Sequence, residues 1–254
     1  MKSFELLRRT VIRRQIPDII PLDYHSAKIR AYAAAYGNRY PGVDCAVCSC
    51  DGYSLLKYNG NAVIYGTVTD TMTLTCILLA NGIFSLESPF PCDIKWYDQV
   101  PLVHMKGRVQ GDGSGVRPAD LYKMSLAVSE MLGVPADAWY VDMSHRVRHN
   151  VSRAYEYGGS YAAIDFHAHG TAYVSSVVSP ENVRGQGNIR KILSHISERY
   201  TVDLRCRPGL AAFYEHLGLE AFTDQYLYEY KCPPEDYHLP VYYFYDKYRI
   251  GGII

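Results

Sequence analysis

The spacing of apolar residues in the second half of the chain predicts a strand, a glycine turn and a helix. A β-branched and aromatic run over Thr171–Val178 predicts the strand, and Ser179 and Pro180 end it. Apolar residues then recur with the period of one helix face; they are Ile189, Ile192, Leu193, Ile196 and Tyr200. The turn between them has the sequence Arg184-Gly-Gln-Gly-Asn188. Because a helix entered through glycines offers unpaired N–H groups and a positive dipole end, this turn is predicted to bind a phosphate.

The first half of the chain is predicted to contain two helices, a three-stranded meander and a further helix. Period-two alternation begins at Asp44, and the dipeptides Asp51-Gly52 and Asn59-Gly60 are typical of hairpin turns. The predicted helices are Met1–Gln15, Ser26–Tyr36 and a segment from Thr69-Asp70 through Ala80. The predicted strands are Asp44–Cys50, Tyr53–Tyr58, Asn61–Gly66 and Ile83–Leu86.

The middle of the chain is rich in proline and glycine. We interpret Pro89–Arg117 as a turn or linker, because its glycine run lacks the Gly-Lys-Ser/Thr ending of a P-loop. Pro118 is predicted to occupy the first turn of a helix that ends at Gly133. Strands are predicted over Tyr140–Gly158, Ser160–His167 and Tyr226–Lys231, and strand alternation places His145 and His149 on the face opposite Arg146 and Arg148.

Composition and charge narrow the class of protein. The chain has 254 residues, of which 48% are hydrophobic and 20% charged, which predicts a globular protein with one large or two modest cores. Lys plus Arg balances Asp plus Glu at 26 each, so no overall field favours nucleic acid or an anionic membrane as a partner. Seven cysteines without a secretory leader favour reduced thiols and a cytoplasmic location.

Two groups of metal-ligand residues are present, and neither is predicted to bind a metal. Cys45, Cys48 and Cys50 are close in sequence, but strand alternation sends Cys45 to the opposite face, and no second C-x-x-C pair follows. His167 and His169 have no third ligand nearby in the sequence. Small apolar strand residues and a hairpin turn are the favoured interpretations.

The glycine turn and a second motif resemble the GNAT family of acyl-CoA-dependent N-acyltransferases. The residues that carry the resemblance are Val178-Ser-Pro-Glu-Asn-Val-Arg-Gly-Gln-Gly187 and Phe213-Tyr-Glu-His-Leu-Gly-Leu219. The family's pyrophosphate loop has the form Arg/Gln-x-x-Gly-x-Gly/Ala, and Arg184 and Gly187 match its first two fixed positions. Ile189 stands where the family has a small residue, and Arg207 stands where many members have an asparagine.

The resemblance implies a role for each part of this region. It implies that acetyl-CoA is the co-substrate, that no metal is needed, and that Tyr214 protonates the departing thiolate. It implies that the end of the strand contacts the pantetheine arm through Ser176, Val177 and Val178. It implies that the pyrophosphate binds Arg184, Gly185, Gln186, Gly187 and Asn188. A packing role for Tyr214 stays open, and the general base is left open among Glu156, Asp165, His145 and His149.

The predicted fold class is α/β (α+β), with a mixed central sheet flanked by helices and a smaller α/β domain before it. The domain boundaries are predicted at 1–105 for an N-terminal domain that we interpret as a degenerate GNAT-like unit, 106–231 for the GNAT domain and 232–254 for an aromatic tail. Because the tail contains Val241-Tyr-Tyr-Phe-Tyr245, it is predicted to pack on its own chain or to form a homodimer.

The leading functional hypothesis is transfer of an acetyl group from acetyl-CoA to a small-molecule amine. The alternative is a non-catalytic acyl-CoA-binding or regulatory module, for which the departures at Ile189 and Arg207 are the motivation. Turnover with an amine distinguishes the two.

Overall fold

A computed structural model of the chain describes residues 23–36, 45–50, 52–222 and 226–231. The predicted helix Met1–Gln15 and the predicted tail at 232–254 lie outside these residues. The described residues form two compact units. The first contains the described residues up to Pro101 together with the last described strand, and the second contains the described residues from Leu102 to Phe222. No helix among the described residues has the length and apolar character needed to span a membrane.

The first unit is a mixed sheet with a helix before it and a helix inserted between two of its strands. Its helices are α1 (Tyr24–Tyr36) and α2 (Thr71–Ala80). Its strands are β1 (Cys45–Cys50), β2 (Tyr53–Tyr58), β3 (Asn61–Gly66), β4 (Ser85–Ser88), β5 (Tyr97–Val100) and β13 (Tyr226–Tyr230). Among the described residues the sheet order is β1-β2-β3-β4-β13-β5, in which only β3 and β4 run parallel.

Local sequence signals explain most boundaries of the first unit. The β2–β3 hairpin turns at Asn59 and Gly60, which both have positive φ, as a two-residue type I′ turn requires. Helix α2 begins where the Asp70 carboxylate accepts a hydrogen bond from the Thr73 N–H at 2.9 Å. Many threonines lower helix propensity, but this side-chain cap and the burial of Leu74 and Leu78 offset that cost.

The second unit is a seven-stranded mixed sheet with helices on both faces. Its helices are α3 (Leu121–Leu132), α4 (Ala136–Arg148), α5 (Asn188–Ser197) and α6 (Pro208–His216). Its strands are β6 (Val103–Gly107), β7 (Arg117–Pro118), β8 (Arg153–Tyr157), β9 (Ser160–Ala168), β10 (Thr171–Val178), β11 (Thr201–Cys206) and β12 (Leu219–Phe222). The order is β12-β6-β11-β10-β9-β8-β7, and β10 and β11 are parallel.

Each face of this sheet has its own core. Helices α5 and α6 cover the first face, where Ile192 and Leu193 pack on alternate residues of the strands, such as Ala172 and Val202. Helices α3 and α4 cover the second face, where Met124 and Met143 pack against Ala154, Ala163 and Val178. The central strands are therefore buried on both sides.

The two units share one order of elements. In each, a helix precedes three antiparallel strands, the third strand leads into a helix, and that helix returns to a parallel fourth strand. The strand that pairs with the fourth strand on its other side is β13 in the first unit and β6 in the second. The units differ in the connection after the third strand, which is residues 67–70 in the first and residues 179–187 in the second.

The pairing of β13 corrects one predicted boundary. We predicted Tyr226–Lys231 as the last strand of the domain at 106–231, but β13 lies between β4 and β5 in the sheet of the first unit. Strand β6, in contrast, crosses the predicted boundary at 105 and belongs to the second unit. The residues of a strand do not specify which strands it pairs with, and this is why β13 was assigned to the wrong unit.

The prediction of a strand over Tyr140–Gly158 is wrong for most of its length. Helix α4 covers Ala136–Arg148, and only Arg153–Tyr157 is a strand. The buried residues of α4 include Trp139, Met143 and Arg146, which have helical spacing. The alternation of histidine and arginine after Ser144 resembles a strand and concealed the helical period. Because these residues are in a helix, their side chains do not alternate between two strand faces.

Two further predictions need correction in the middle of the chain. The segment Pro89–Arg117 contains β5 and β6 as well as irregular turns. Pro118 pairs in β7, and the helix that follows begins after Asp120, whose carboxylate accepts hydrogen bonds from the N–H groups of Tyr122 and Lys123. The predicted helix end at Gly133 is confirmed, with Gly133 in the left-handed conformation.

Candidate functional site

The glycine turn between β10 and α5 is exposed and has the backbone conformation that glycine favours. Gly185 and Gly187 have φ values of +79° and +76°. A Cβ added at either position would meet nothing within 4 Å, so steric crowding is not the reason for glycine here. The left-handed backbone conformation is the reason, because other residues adopt it only with strain.

Helix α5 begins at this turn with unused donors. The N-cap residue Gly187 provides no side-chain cap. None of the backbone N–H groups from Gly185 to Arg190 donates a hydrogen bond to another described residue, whereas the N–H of Lys191 bonds to the Gly187 carbonyl. A row of unpaired N–H groups at the positive end of a helix is suited to bind an anion.

The side chains at the start of α5 point away from this row of donors. Ile189 is 8% exposed and packs in the core beneath α5 and α6, so its branched side chain does not lie over the turn. The Asn188 amide donates a hydrogen bond of 3.1 Å to the Gly158 carbonyl. A Cβ on Gly158 would lie 2.7 Å from the Asn188 amide nitrogen, so this glycine permits the contact. The Asn188 side chain is therefore engaged within the protein, and its backbone N–H is the group that could take the predicted binding role.

Positive charge surrounds the turn. Arg184 is exposed and forms no ion pair with another described residue. Lys191 lies 3.6 Å from Asp112 and 4.7 Å above the Tyr157 ring centroid. Gln186, the other predicted binding side chain, donates a hydrogen bond of 3.3 Å to the Asn182 carbonyl. Arg184 is thus the cation with freedom to contact an anion bound at the turn.

Strands β10 and β11 separate beyond their fourth pair of residues. They are paired from Thr171 with Thr201 to Val174 with Leu204. The pairing ends there, although β10 continues to Val178 and β11 to Cys206. The end of the ladder leaves the β11-facing backbone of Ser176–Val178 without a strand partner on that side. The opening lies at the end of β10 that leads to the glycine turn.

A bulge in β10 coincides with this opening. Ser175 pairs with Ala163 and Val178 pairs with Tyr161, so Ser176 and Val177 stand opposite the single residue Ala162. Ser176 has φ +49°, which is unusual for a residue other than glycine. Strained backbone of this kind concentrates at functional sites.

A side chain from α4 stabilises the bulge. The indole N–H of Trp139 donates a hydrogen bond of 3.2 Å to the Ser176 hydroxyl oxygen. Trp139 is 8% exposed and belongs to the core between the sheet and helices α3 and α4. The Ser176 side chain therefore points to the face opposite α5 and α6. Sequence reasoning missed Trp139, because it lay between the predicted helix end at Gly133 and the predicted strand from Tyr140.

Tyr214 lies on α6 beside the end of β11. Its ring is 6% exposed and packs in the same core as Cys206. Burial raises the pKa of the Tyr214 phenol far above its ordinary value, and the nearby Cys206 thiol raises it further. Burial also raises the pKa of Cys206 to about 11. Both groups therefore keep their protons at neutral pH.

The candidate bases named from the sequence are not brought together at the opening. Glu156 bonds to the side chain of Arg117 and accepts from the Asp120 N–H. Asp165 forms an ion pair with the buried Arg146. The rings of His145 and His149 are in contact at the end of helix α4, with centroids 4.3 Å apart and planes inclined by 45°.

One buried acid–base pair was missed by sequence analysis. His104 Nε2 lies 2.6 Å from Asp203 Oδ1, and both side chains are almost fully buried. Because Val202, Leu204 and Cys206 face the core under α5 and α6, Asp203 points to the opposite face of the sheet. Asp203 is paired with Tyr173 one step before the β10–β11 ladder ends. His104 was within the segment interpreted as a linker, and nothing in that sequence indicated a buried histidine paired with a carboxylate.

Metal-ligand side chains do not cluster within the part of the chain that the structure describes, where no group of three His, Cys, Asp or Glu residues is arranged to hold an ion. His167 is the last residue but one of β9, and His169 lies in the hairpin turn, as predicted. The side chains of Cys45, Cys48 and Cys50 lie outside the described part.

No family model matches the chain, and no curated protein sequence matches it. Solved structures do match. A protein of Novosphingobium aromaticivorans, assigned to the GNAT family of acetyltransferases, is 16% identical with a TM-score of 0.50, and the match covers 74% of this chain and 92% of the other. A conserved protein of unknown function from Staphylococcus epidermidis is 10% identical with a TM-score of 0.53, and that match covers 78% and 98%.

These likenesses agree with the predicted fold class. The chain has an α/β fold with mixed sheets flanked by helices, consistent with the GNAT acyltransferase fold. At such low identity the likeness concerns the fold alone, so the chemistry depends on the residues of this chain.

Proposed function

We propose that this protein is an N-acyltransferase that transfers an acetyl group from acetyl-CoA to the amine of a small molecule. The observation that carries the proposal is the row of backbone N–H groups from Gly185 to Arg190, which donate no hydrogen bond to the rest of the described chain. These donors and the Arg184 guanidinium fit the pyrophosphate of coenzyme A. We place the protein in the cytoplasm, with no nucleic acid or membrane as partner, and retain a homodimer as a proposal.

The opening between β10 and β11 is suited to receive the thioester arm. It starts at Val174, and the backbone groups of the bulge at Ser176 and Val177 are on its β10 side. An N–H group of the bulge would donate to the thioester carbonyl and stabilise the negative charge that develops on its oxygen. The strain at Ser176 fits this role because it fixes the donor before substrate binds.

The reaction replaces a C–S bond by a C–N bond and requires two proton transfers. The neutral amine attacks the carbonyl carbon, a C–N bond forms, and the C–S bond breaks. The amine nitrogen loses one proton and the departing thiolate gains one. We assign the second proton to Tyr214, because its buried phenol holds a proton at neutral pH and lies beside the end of β11.

The proton lost by the amine is assigned to the other face of the sheet. Asp203 and His104 form a hydrogen-bonded pair there, one residue before the strands separate. An imidazole that is oriented by a carboxylate is a chemically suitable proton acceptor. Glu156 and Asp165 are less suitable because each is committed to an arginine.

Titration calorimetry followed by an amine screen tests the proposal. We expect acetyl-CoA and coenzyme A to bind at one site with micromolar affinity, and a panel of small amines to release free thiol from acetyl-CoA. Binding without turnover for any amine would favour the alternative of a non-catalytic acyl-CoA-binding or regulatory module. Absence of heat with both ligands would overturn the assignment of the glycine turn.

A further inference from the structure

Trp139 lies against the part of β10 where the acyl group would end. Its indole N–H is 3.2 Å from the Ser176 hydroxyl, so the edge of the ring contacts the bulge itself. Ser176 and Val177 are the residues opposite Ala162 where the β9 register shifts. The ring is 8% exposed and packs with Met143, Ala163 and Val178. The largest side chain in this core thus fills the space beside the bulge.

The two ends of a bound thioester would lie on different faces of the sheet. The pyrophosphate site is at the start of α5, on the face where Ile192 and Leu193 pack. An arm that comes from this face would pass through the opening between β10 and β11 and would place its carbonyl at the bulge. The acyl group, at the far end of the thioester, would then point to the opposite face. Trp139 occupies that face at the bulge.

We propose that Trp139 is the specificity-determining residue that restricts the donor to short acyl groups such as acetyl. This inference rests on the proposed function. Side chains in the core around Trp139 are fully buried, including Met143 and Ala163, so a longer acyl chain has no adjacent free space unless the indole moves. Moving the ring would also break its hydrogen bond to Ser176 and disturb the strained bulge. Trp139 acts on donor selection and takes no part in proton transfer.

The test compares acyl-CoA donors of increasing chain length. For the wild-type protein we expect kcat/KM to fall by about tenfold or more from acetyl-CoA to hexanoyl-CoA. In Trp139→Leu the ratio of hexanoyl-CoA to acetyl-CoA should rise by about tenfold or more. Trp139→Phe keeps one aromatic ring but is smaller than tryptophan, so its ratio should rise less than that of Trp139→Leu. Tyr140→Ala, an exposed change on the same helix, is the matched control and should leave the ratio unchanged.

Affinity measurements keep the test independent of folding and turnover. In a Trp96→Phe protein, Trp139 is the one remaining tryptophan, and its fluorescence should respond to acetyl-CoA and not to coenzyme A without an acyl group. Circular dichroism checks that each variant is folded. Equal chain-length ratios in wild type and Trp139→Leu, with binding intact, would overturn this inference alone. Failure of coenzyme A and all acyl-CoA donors to bind would overturn it together with the proposed function.

Discussion

Glu87 and Asp203 occupy the same step of two parallel strand pairs, one in each unit. Glu87 pairs with Val63 at the third position where β3 and β4 are in register, and Asp203 pairs with Tyr173 at the third position of β10 and β11. Both carboxylates are buried on the face opposite the helix that joins the parallel strands. Glu87 bonds to Lys28 at 2.8 Å, and Asp203 bonds to His104.

The two units share a buried carboxylate on the fourth strand, and the second unit has features that the first lacks. The partners of the two carboxylates differ in chemistry. The partner of Glu87 is an ammonium group, whereas the partner of Asp203 is an imidazole, whose ring nitrogens can accept or donate a proton. The second unit also has the longer connection with its glycines, and the first has residues 67–70 at that point. The proposed chemistry is therefore confined to the second unit.

Gly187→Ala should weaken coenzyme A binding by about tenfold. Forcing alanine into the left-handed conformation costs about 1–2 kcal/mol, and the backbone can relieve that strain by turning its N–H groups away from the ligand. Titration calorimetry with acetyl-CoA measures the change.

Gly170→Ala provides the matched control. Gly170 has φ +74° and open space around a new Cβ, as Gly187 has, but it lies in the hairpin between β9 and β10. This variant should lose similar stability and keep its affinity for acetyl-CoA. Equal loss of affinity in both variants would contradict the assignment of the glycine turn.

Tyr214→Phe should lower kcat by about a hundredfold or more while the affinity for acetyl-CoA changes little. Phenylalanine keeps the buried ring and removes the proton that we assign to the thiolate. Because burial raises the pKa of this phenol, the wild-type enzyme should show no loss of activity from Tyr214 ionisation up to about pH 10. An alkaline decline near neutral pH that Tyr214→Phe abolishes would contradict the role.

Leu227→Ala should destabilise the first unit by about 2–5 kcal/mol. Leu227 is 1% exposed and lies in β13, between Glu87 of β4 and Val100 of β5. Hydrogen exchange should accelerate in β4 and β5, far away in sequence, and stay slow in β9–β11. Glu229→Ala, on the same strand, is the control and should have a smaller effect because Glu229 is half-buried. Faster exchange confined to β9–β11 would contradict the placement of β13.

Cys206 should resist alkylation until the solution is strongly alkaline. Burial raises the pKa of its thiol to about 11, and only the thiolate reacts. Mass spectrometry of protein treated with iodoacetamide at pH 8 should find Cys206 unmodified and the exposed Cys76 modified. Because the folded state holds the proton more tightly, the stability from this group is present below pH 9 and is lost as the pH rises through 11. Rapid modification of Cys206 at pH 8 would show that the thiol is accessible and ionised.

The sequence predicted elements whose signals are local. Strand Thr171–Val178 and the helix from Asn188 follow from residue types and spacing within a short window, and both are confirmed. The hairpin at Asn59 and Gly60 is confirmed for the same reason, since the turn requires positive φ at both positions.

Features that depend on distant partners were not predictable. Arg146 is 4% exposed because Asp142, Ser152 and Asp165 surround it, and no local pattern marks an arginine as a core residue of a helix. The hydrogen bond from Trp139 to Ser176 and the pair of His104 with Asp203 join segments whose contact depends on the sheet order. The order of strands is a tertiary property, so these parts of the candidate site required the structure.

The placement of β13 between β4 and β5 determines the order in which the protein can be completed on the ribosome. Every strand of the second sheet, from β6 to β12, is encoded without interruption, whereas the first sheet lacks an interior member until Tyr226–Tyr230 has been made. The first sheet is therefore completed after the second, although most of its strands come earlier in the chain. Until then β4 has an open edge and β5 has no strand partner among the described residues, which leaves both strands prone to aggregation.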